Sequence, residues 1–262
     1  MRMLRKPALL ASLVMLVPAI GFAATGPYVL SASVGYSEEG NDGNVDSSTM
    51  LTSVAISRQV DIWNYAGGLT YSRKDVDFVA PVPQQKVRSK TLGGFVSATG
   101  NLWQGGYVSF AGSYGENDNA SNTIPFYDYD AKSTSFTTAV TQALPLGPEF
   151  LTSWTAAYTY STFRPDNMSI GFTPSTTSQG LLSTGVRLTW VGTQYLPFVS
   201  VTHKRYRDDQ IGNNDQTFYD LSAGASLPLE NGRRLTLAVN NWVGLKDYER
   251  LGASLTYSHP LK

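Results

Sequence analysis

The sequence alternates between apolar and small polar residues at intervals of two over many short stretches. The clearest stretch runs from Tyr28 to Tyr36 and reads YVLSASVGY. An alternation of this kind predicts a β-strand with one apolar face. That face has an aromatic ring at each end and aliphatic groups between them, over about 25–30 Å at a rise of about 3.3 Å per residue. This order is typical of a strand that faces lipid, with rings at the two headgroup levels.

The same alternation recurs along the chain and predicts twelve strands in all. They cover residues 28–36, 50–60, 65–72, 91–100, 106–115, 133–144, 150–162, 180–191, 195–206, 217–229, 233–245 and 250–257. Short turns alternate with long polar connections, the latter at 37–49, 73–89, 116–131, 163–178 and 207–216. An even strand count with both termini on the short-turn side predicts an all-β, antiparallel, up-and-down transmembrane β-barrel with short periplasmic turns and long extracellular loops. A soluble β-sandwich is the alternative, but strands of ten residues or so exceed the usual length in soluble sheets.

The sorting of side chains supports the barrel in most strands. In the tenth predicted strand Tyr219, Leu221 and Ala223 share a face, and the opposite face carries Asp220 and Ser222. The apolar faces assigned in this way hold no charge, as contact with hydrocarbon requires. The ninth strand is ambiguous because apolar residues occur on both of its faces. Pro197 in that strand predicts a bulge, since proline cannot donate to a closed ladder.

The first residues predict a segment that is removed before folding. Arg2, Arg5 and Lys6 precede an apolar run from Ala8 to Phe22, and small residues follow it. This arrangement predicts a secretory signal peptide over residues 1–23 and an outer-membrane barrel over residues 24–262. A membrane-anchoring helix is the alternative, but Pro18 interrupts a run that is already shorter than the roughly 20 residues of a spanning helix.

Composition excludes several classes of function. The chain has no cysteine, so neither a disulfide framework nor a thiolate metal site is available. Its 20 basic residues balance its 20 acidic residues, so it lacks the basic field that nucleic acid binding requires. Its mean hydropathy of −0.17 fits a barrel, in which only alternate residues face lipid.

The C-terminal half resembles the translocator barrel of autotransporters. The resemblance lies in GLLSTGV at 180–186 followed by YLPF at 195–198, and in LSAGAS at 221–226 followed by LGASLTY at 251–257. It implies twelve strands and a terminal aromatic residue, here Tyr257, that the barrel-assembly machinery reads. The family exports a passenger behind a helix that fills the lumen, whereas only a few residues separate the predicted signal peptide from Tyr28. We therefore expect neither passenger nor plug helix, and the tail after Tyr257 is a second departure from the family.

Candidate chemistry is sparse. His203 lies near the loop end of the ninth strand, and a phospholipase-type site would need a serine where Arg205 stands. His203, Lys204, Arg205 and Arg207 are therefore interpreted as polar rim residues, which pair with lipopolysaccharide phosphates or, preferably, with Asp208 and Asp209. We expect no catalytic residue, no metal site and no cofactor.

The predicted lumen is lined by Ser, Thr and Gly with few charges. Arg187 and Asp220 are candidates for a constriction, or alternatively form a structural pair across the wall. Twelve strands enclose less space than open porins, so we expect a narrow channel for small hydrophilic solutes. The alternative is an autotransporter-like barrel that acts as a surface interaction, assembly or secretion component through its loops. Outer-membrane lipid and lipopolysaccharide are the expected surroundings.

Overall fold

The twelve predicted strands form a closed antiparallel barrel. The computed structural model describes residues 26–41, 45–78, 85–121, 129–166, 176–208, 217–245 and 249–261. The strands are β1 (Tyr28–Asn41), β2 (Val45–Val60), β3 (Trp63–Phe78), β4 (Gln85–Trp103), β5 (Gly106–Ser121), β6 (Tyr129–Leu146), β7 (Phe150–Asp166), β8 (Thr177–Trp190), β9 (Pro197–Asp208), β10 (Thr217–Pro228), β11 (Arg234–Val243) and β12 (Glu249–Pro260). Each strand pairs with its neighbours in sequence, and β1 pairs with β12 to close the ring. No helix in these ranges is long and apolar enough to cross a membrane.

The strand register determines the tilt and width of the barrel. Directly opposed residues can be followed from strand to strand once around the ring, from Gly40 of β1 through Thr184 of β8 to Val60 of β2. The path returns to β1 about 14 residues before Gly40, and this offset is the shear of the barrel. For twelve strands about 4.8 Å apart, this shear corresponds to a tilt of roughly 40° and a backbone radius of about 12 Å. The same register gives the relative height of every residue along the barrel axis.

Several strands continue into segments that the sequence predicted as loops. β1 extends to Asn41, β2 begins at Val45, and β3 and β4 pair from Phe78 and Gln85 downward. The predicted boundaries at 37–49, 73–89, 116–131 and 163–178 were therefore wrong. Charged outward side chains replace the apolar alternation in these extensions, so the pattern disappears although the backbone ladder continues. The remaining parts of these connections lie outside the described residues, as does the predicted signal peptide.

The outward face carries two aromatic rings. The ring on the side of the long connections consists of Tyr36, Tyr71, Tyr114, Phe136, Tyr158, Tyr160 and Tyr219. The ring on the side of the short turns consists of Tyr28, Trp63, Tyr65, Trp103, Phe150, Trp154, Trp190 and Tyr257. The register places the two rings about 20 Å apart along the axis. Between them, no Asp, Glu, Lys or Arg points outward among the described residues, which is the pattern of a lipid-facing surface.

The ninth strand, which was ambiguous in the sequence, has a clear orientation. Val199 and Val201 point outward and are about half exposed, whereas Phe198 points inward and is buried. Pro197 is the first residue of β9, a position where its missing N–H disturbs no ladder bond, and the strand pairs regularly from there. The predicted bulge at Pro197 was therefore wrong. The register irregularity lies instead between Asn101 and Trp103 at the end of β4.

Pairs of hydroxyl groups line much of the inward face. The Oγ atoms of Ser33 and Ser53 are 2.7 Å apart, and those of Ser113 and Ser135 are also 2.7 Å apart. Similar bonds join Ser31 to Ser258, Thr99 to Ser109, Thr137 to Thr159, Thr141 to Thr155, Ser200 to Ser222 and Ser226 to Thr236. Each pair links neighbouring strands and satisfies one hydrogen bond per hydroxyl, and the remaining capacity suits water. This lining is polar and carries no charge of its own.

Candidate functional site

Three large aromatic side chains pack together inside the barrel near the end with the long connections. The rings of Tyr206 and Phe218 are stacked with centroids 5.4 Å apart, and Phe218 lies 4.6 Å from Trp242. Phe218 has no exposed surface, and Trp242 and Tyr206 retain 3% and 7%. These residues come from β9, β10 and β11, whose inward positions face one another through the register. They form the apolar part of what we call the lumen cluster.

An ion pair adjoins the aromatic rings. The Lys204 Nζ atom lies 2.6 Å from Asp220 Oδ2, and both side chains are 19% exposed. The same ammonium group is 5.3 Å from the centre of the Trp242 ring, a distance suited to a cation–π interaction. The hydroxyl of Tyr206 and the second carboxylate oxygen of Asp220 are buried and make no hydrogen bond within the described ranges. Buried polar atoms of this kind are commonly satisfied by water.

A second ionic group continues the cluster onto β12, β1 and β3. The Glu39 carboxylate lies 2.6 Å from Lys74 Nζ and 3.5 Å from Arg250 Nε. Only 7% of the Glu39 side chain is exposed, against 16% for Lys74 and 11% for Arg250. The Arg250 guanidinium also lies over the Trp242 ring, with its Cζ atom 4.4 Å from the centroid. The lumen cluster is therefore continuous from the aromatic rings to Lys74. Its members are Glu39, Lys74, Lys204, Tyr206, Phe218, Asp220, Trp242 and Arg250.

The lumen cluster occupies one side of the barrel and one narrow layer. Strand tilt and register place its members within a layer about 10 Å deep, at the height of the outer aromatic ring on the same end. In that layer the inward positions of β4 to β7 are small, namely Thr91, Gly93, Ser113, Gly115, Ser133, Ser135, Thr159 and Ser161. Bulky side chains thus fill the space beside the strands from β9 through β12 and β1 to β3. The wall opposite, from β4 to β7, carries side chains that extend only a few atoms from the backbone. The lumen cluster therefore narrows the cross-section of the lumen from one side.

A further cation lies lower in the lumen. The Arg187 guanidinium carbon is 3.6 Å from the centre of the Phe198 ring, which in turn covers Gly224. A Cβ atom on Gly224 would lie 2.6 Å from this ring, so glycine is what allows Phe198 to lie flat against β10. Arg187 directly opposes Ser200 of β9 in the register, and it lies between the lumen cluster and the short-turn end.

The residues predicted from the sequence occupy different places in this arrangement. Asp220 lies in the lumen cluster with Lys204 as its partner, and Arg187 lies below on Phe198, so the structure gives these two residues separate contacts. Of the four rim candidates, Lys204 points inward, whereas His203, Arg205 and Arg207 lie on outward positions of β9. The His203 ring contacts Tyr219 at 5.3 Å. Tyr257 is 38% exposed on the outward face of β12.

Sequence reasoning missed most of the cluster. Glu39 and Lys74 fell within predicted loops, and Tyr206, Phe218 and Trp242 lie at strand ends where the alternation fades. Their inward position was the available signal, because each lies on the same face of its strand as small or polar residues such as Ser, Gly, Thr, Ala and Asn. Among the described residues, no group of three or more His, Asp or Glu side chains is placed to hold a metal ion.

Comparison with known proteins identifies solved structures with a similar fold. No known protein family matches the sequence, and no curated protein matches it. The translocator domain of the autotransporter NalP from Neisseria meningitidis is similar in structure, with a TM-score of 0.68 and 14% identity over 90% of this chain and 89% of that one. The β-domain of the Bordetella autotransporter BrkA has a TM-score of 0.66 and 15% identity over 91% of this chain and all of that one. An outer-membrane channel from Pseudomonas putida F1 has a TM-score of 0.56 and 7% identity over 92% and 97% of the two chains.

These likenesses concern the fold. They confirm the predicted architectural resemblance to autotransporter translocator barrels, and they confirm the twelve-stranded up-and-down barrel. At identities of 15% or less they assign no activity to the chain. The similar structures include both translocator domains and a channel, so the function has to be argued from the lumen itself.

Proposed function

We propose that this protein is an integral barrel of the bacterial outer membrane and acts as a narrow channel for small hydrophilic solutes. The charge-free band between the two aromatic rings supports insertion, because hydrocarbon contact strongly disfavours Lys and Arg near the bilayer centre. Above the band, outward charges such as Lys90, Arg205 and Arg207 would meet the polar part of lipopolysaccharide. No step of this proposal needs a catalytic group.

The observation that carries the proposal is the half-filled layer of the lumen cluster. A barrel with a backbone radius of about 12 Å has room inside for water as well as side chains. The lumen cluster fills one side, and the Ser, Thr and Gly positions of β4 to β7 leave a polar, eccentric passage on the other. Permeation would follow this small-residue wall, and its width would limit the size of the solute.

Single-channel recording tests this route with two substitutions on one strand. Ser135→Trp places a bulky ring on the inward face of β6 within the cluster layer, so we expect a strong reduction of the unitary conductance of refolded protein in planar bilayers. Thr138→Trp places the same ring on the outward face of β6 and serves as the matched control, with conductance expected to be unchanged. Trp242→Ala, on the filled side, is expected to raise the conductance.

The outcomes separate a channel from a closed barrel. A folded wild-type barrel without unitary conductance would refute the proposed function. Equal conductance in the Ser135→Trp and Thr138→Trp variants would refute the route along β6.

A second candidate function follows from the uneven height of the wall. The register places the start of β4 about 20 Å above the outer tyrosine ring, whereas β10 begins only about 5 Å above it. This raised wall carries salt bridges from Asp75 to Arg73 and Arg88, with distances of 2.8 and 2.7 Å, on its outward side. Such an ordered projection favours an autotransporter-like role in surface interaction or assembly.

Shortening the projection distinguishes the two roles. Removal of residues 76–87 with a two-residue turn in their place should leave conductance intact if the protein is only a channel. Loss of cell-to-cell aggregation in a strain that expresses the shortened protein, compared with the full chain, would support the surface role. Unchanged aggregation would count against it.

A further inference from the structure

The inward-facing charges of the barrel are unequal in number. Among the inward side chains that the structure describes, the cations are Lys74, Arg187, Lys204, Arg234 and Arg250, and the anions are Glu39 and Asp220. Outward-facing charges lie above or at the level of the aromatic rings and are separated from the lumen by the wall. Among these described side chains positive charge exceeds negative charge by three, so their combined field inside the lumen is positive.

Local pairing does not remove this excess. Lys204 and Asp220 neutralise one another, and Glu39 shares its single negative charge between Lys74 and Arg250. Arg187 and Arg234 form no ion pair with any described residue. The face of Phe198 holds the Arg187 guanidinium in position without cancelling its charge, because an aromatic ring is neutral.

The cations also lie at successive heights. Arg234 is close to the short-turn end, opposite Ser258, and the register places Arg187 roughly 6 Å higher. The paired cations of the lumen cluster lie about 15 Å above Arg187 on the same scale. A solute that crosses the lumen therefore meets positive charge at each stage, and a narrow polar lumen weakens that charge less than open solvent would.

We propose that the channel selects small anions, either inorganic ions such as chloride and phosphate or short carboxylates. This inference rests on the proposed channel function and names its substrate class. Arg187 is the residue assigned the main role, because Phe198 holds it and no carboxylate in the described part of the chain pairs with it. Rings of Lys or Arg are the means by which pores favour anions.

The reversal potential of the refolded protein in a potassium chloride gradient tests the proposal. At a separation of roughly 6 Å in a water-like medium, one fixed charge changes the local concentration of a monovalent ion about threefold. The charge enriches chloride and depletes potassium by that factor, so the ratio of the two changes by up to about tenfold. We therefore expect wild-type protein to favour chloride over potassium, and Arg187→Gln to lower the permeability ratio by up to about tenfold. Arg187→Lys retains the charge and should retain the preference. Lys90→Gln removes a cation from the outward face and should have no effect.

The possible results are distinguishable. Conductance with equal or greater permeability for potassium would overturn the anion preference and leave the channel function standing. Absence of conductance would instead remove the proposed function on which the inference rests. An unchanged permeability ratio in Arg187→Gln, with the same unitary conductance as Arg187→Lys, would overturn the role assigned to Arg187.

Discussion

The buried carboxylate of Glu39 provides a sharp test of the lumen cluster. Glu39→Gln removes the negative charge that lies 2.6 Å from Lys74 Nζ and 3.5 Å from Arg250 Nε. Lys74 and Arg250, whose side chains are only 16% and 11% exposed, would then lack the counter-ion that they share. Breaking a buried pair by removing one partner costs about 3–5 kcal/mol. The cluster borders a wet lumen and the glutamine oxygen still accepts a hydrogen bond, so we expect the lower end, about 3 kcal/mol.

The neighbouring residue supplies the matched control. Glu38 points outward and accepts a hydrogen bond from the Tyr36 hydroxyl at 2.9 Å in an exposed position. Glu38→Gln is expected to change the free energy of unfolding by less than about 0.5 kcal/mol. Urea unfolding in lipid vesicles, followed by tryptophan fluorescence, measures both variants. Equal unfolding midpoints and slopes for the two variants would show that Glu39 does not hold the cluster together.

Two further predictions concern the outward face. Val96 is 67% exposed between the two aromatic rings, so Val96→Arg should destabilise the barrel in bilayers by about 2–4 kcal/mol. Ser97→Arg, on the inward face of the same strand, should destabilise it clearly less. Urea titration in vesicles compares the two variants, and an equal loss of stability would argue against lipid contact at Val96. Tyr257→Ala should reduce the amount of folded barrel in the outer membrane of cells, measured by surface labelling, without slowing refolding of purified protein in detergent, if this ring is the assembly signal. Tyr65→Ala, at nearly the same height on β3, should leave cellular assembly unchanged, and a similar loss in both variants would contradict a specific role for Tyr257.

Much of the fold was predictable because side-chain period and strand count are local properties. The alternation from Tyr28 to Tyr36 identified the outward face of β1, and the same rule placed Tyr219 outward and Asp220 inward on β10. Strand ends were less predictable. Beyond Tyr36 the outward residues become Glu38 and Asp46, whose polarity reads as a loop although they face solvent from a paired strand.

The lumen cluster depends on information that the sequence does not display locally. Glu39, Lys74 and Arg250 come together only because β1 pairs with β12 and because the shear brings their rows to one height. A different shear with the same strands would place other side chains opposite one another. Arg187 and Asp220 were identifiable as inward charges, but their partners Phe198 and Lys204 depend on the orientation of β9, and that orientation was ambiguous until the turn before Pro197 was known.

The position of the lumen cluster couples stability to permeation. The wall of β10 to β12 ends shortly above the outer tyrosine ring, so few ladder bonds hold it there, and Phe218 and Trp242 brace this short wall from inside. Any substitution that enlarges the passage from the filled side also removes that bracing. Trp242→Ala should therefore raise conductance and lower stability together, since loss of a buried tryptophan costs about 3–5 kcal/mol. Ser135→Trp acts on the opposite wall, where the strands extend well above the ring, and should alter conductance with a much smaller loss. Independent behaviour of conductance and stability in Trp242→Ala would mean that the aromatic rings and the passage are separate features of the barrel.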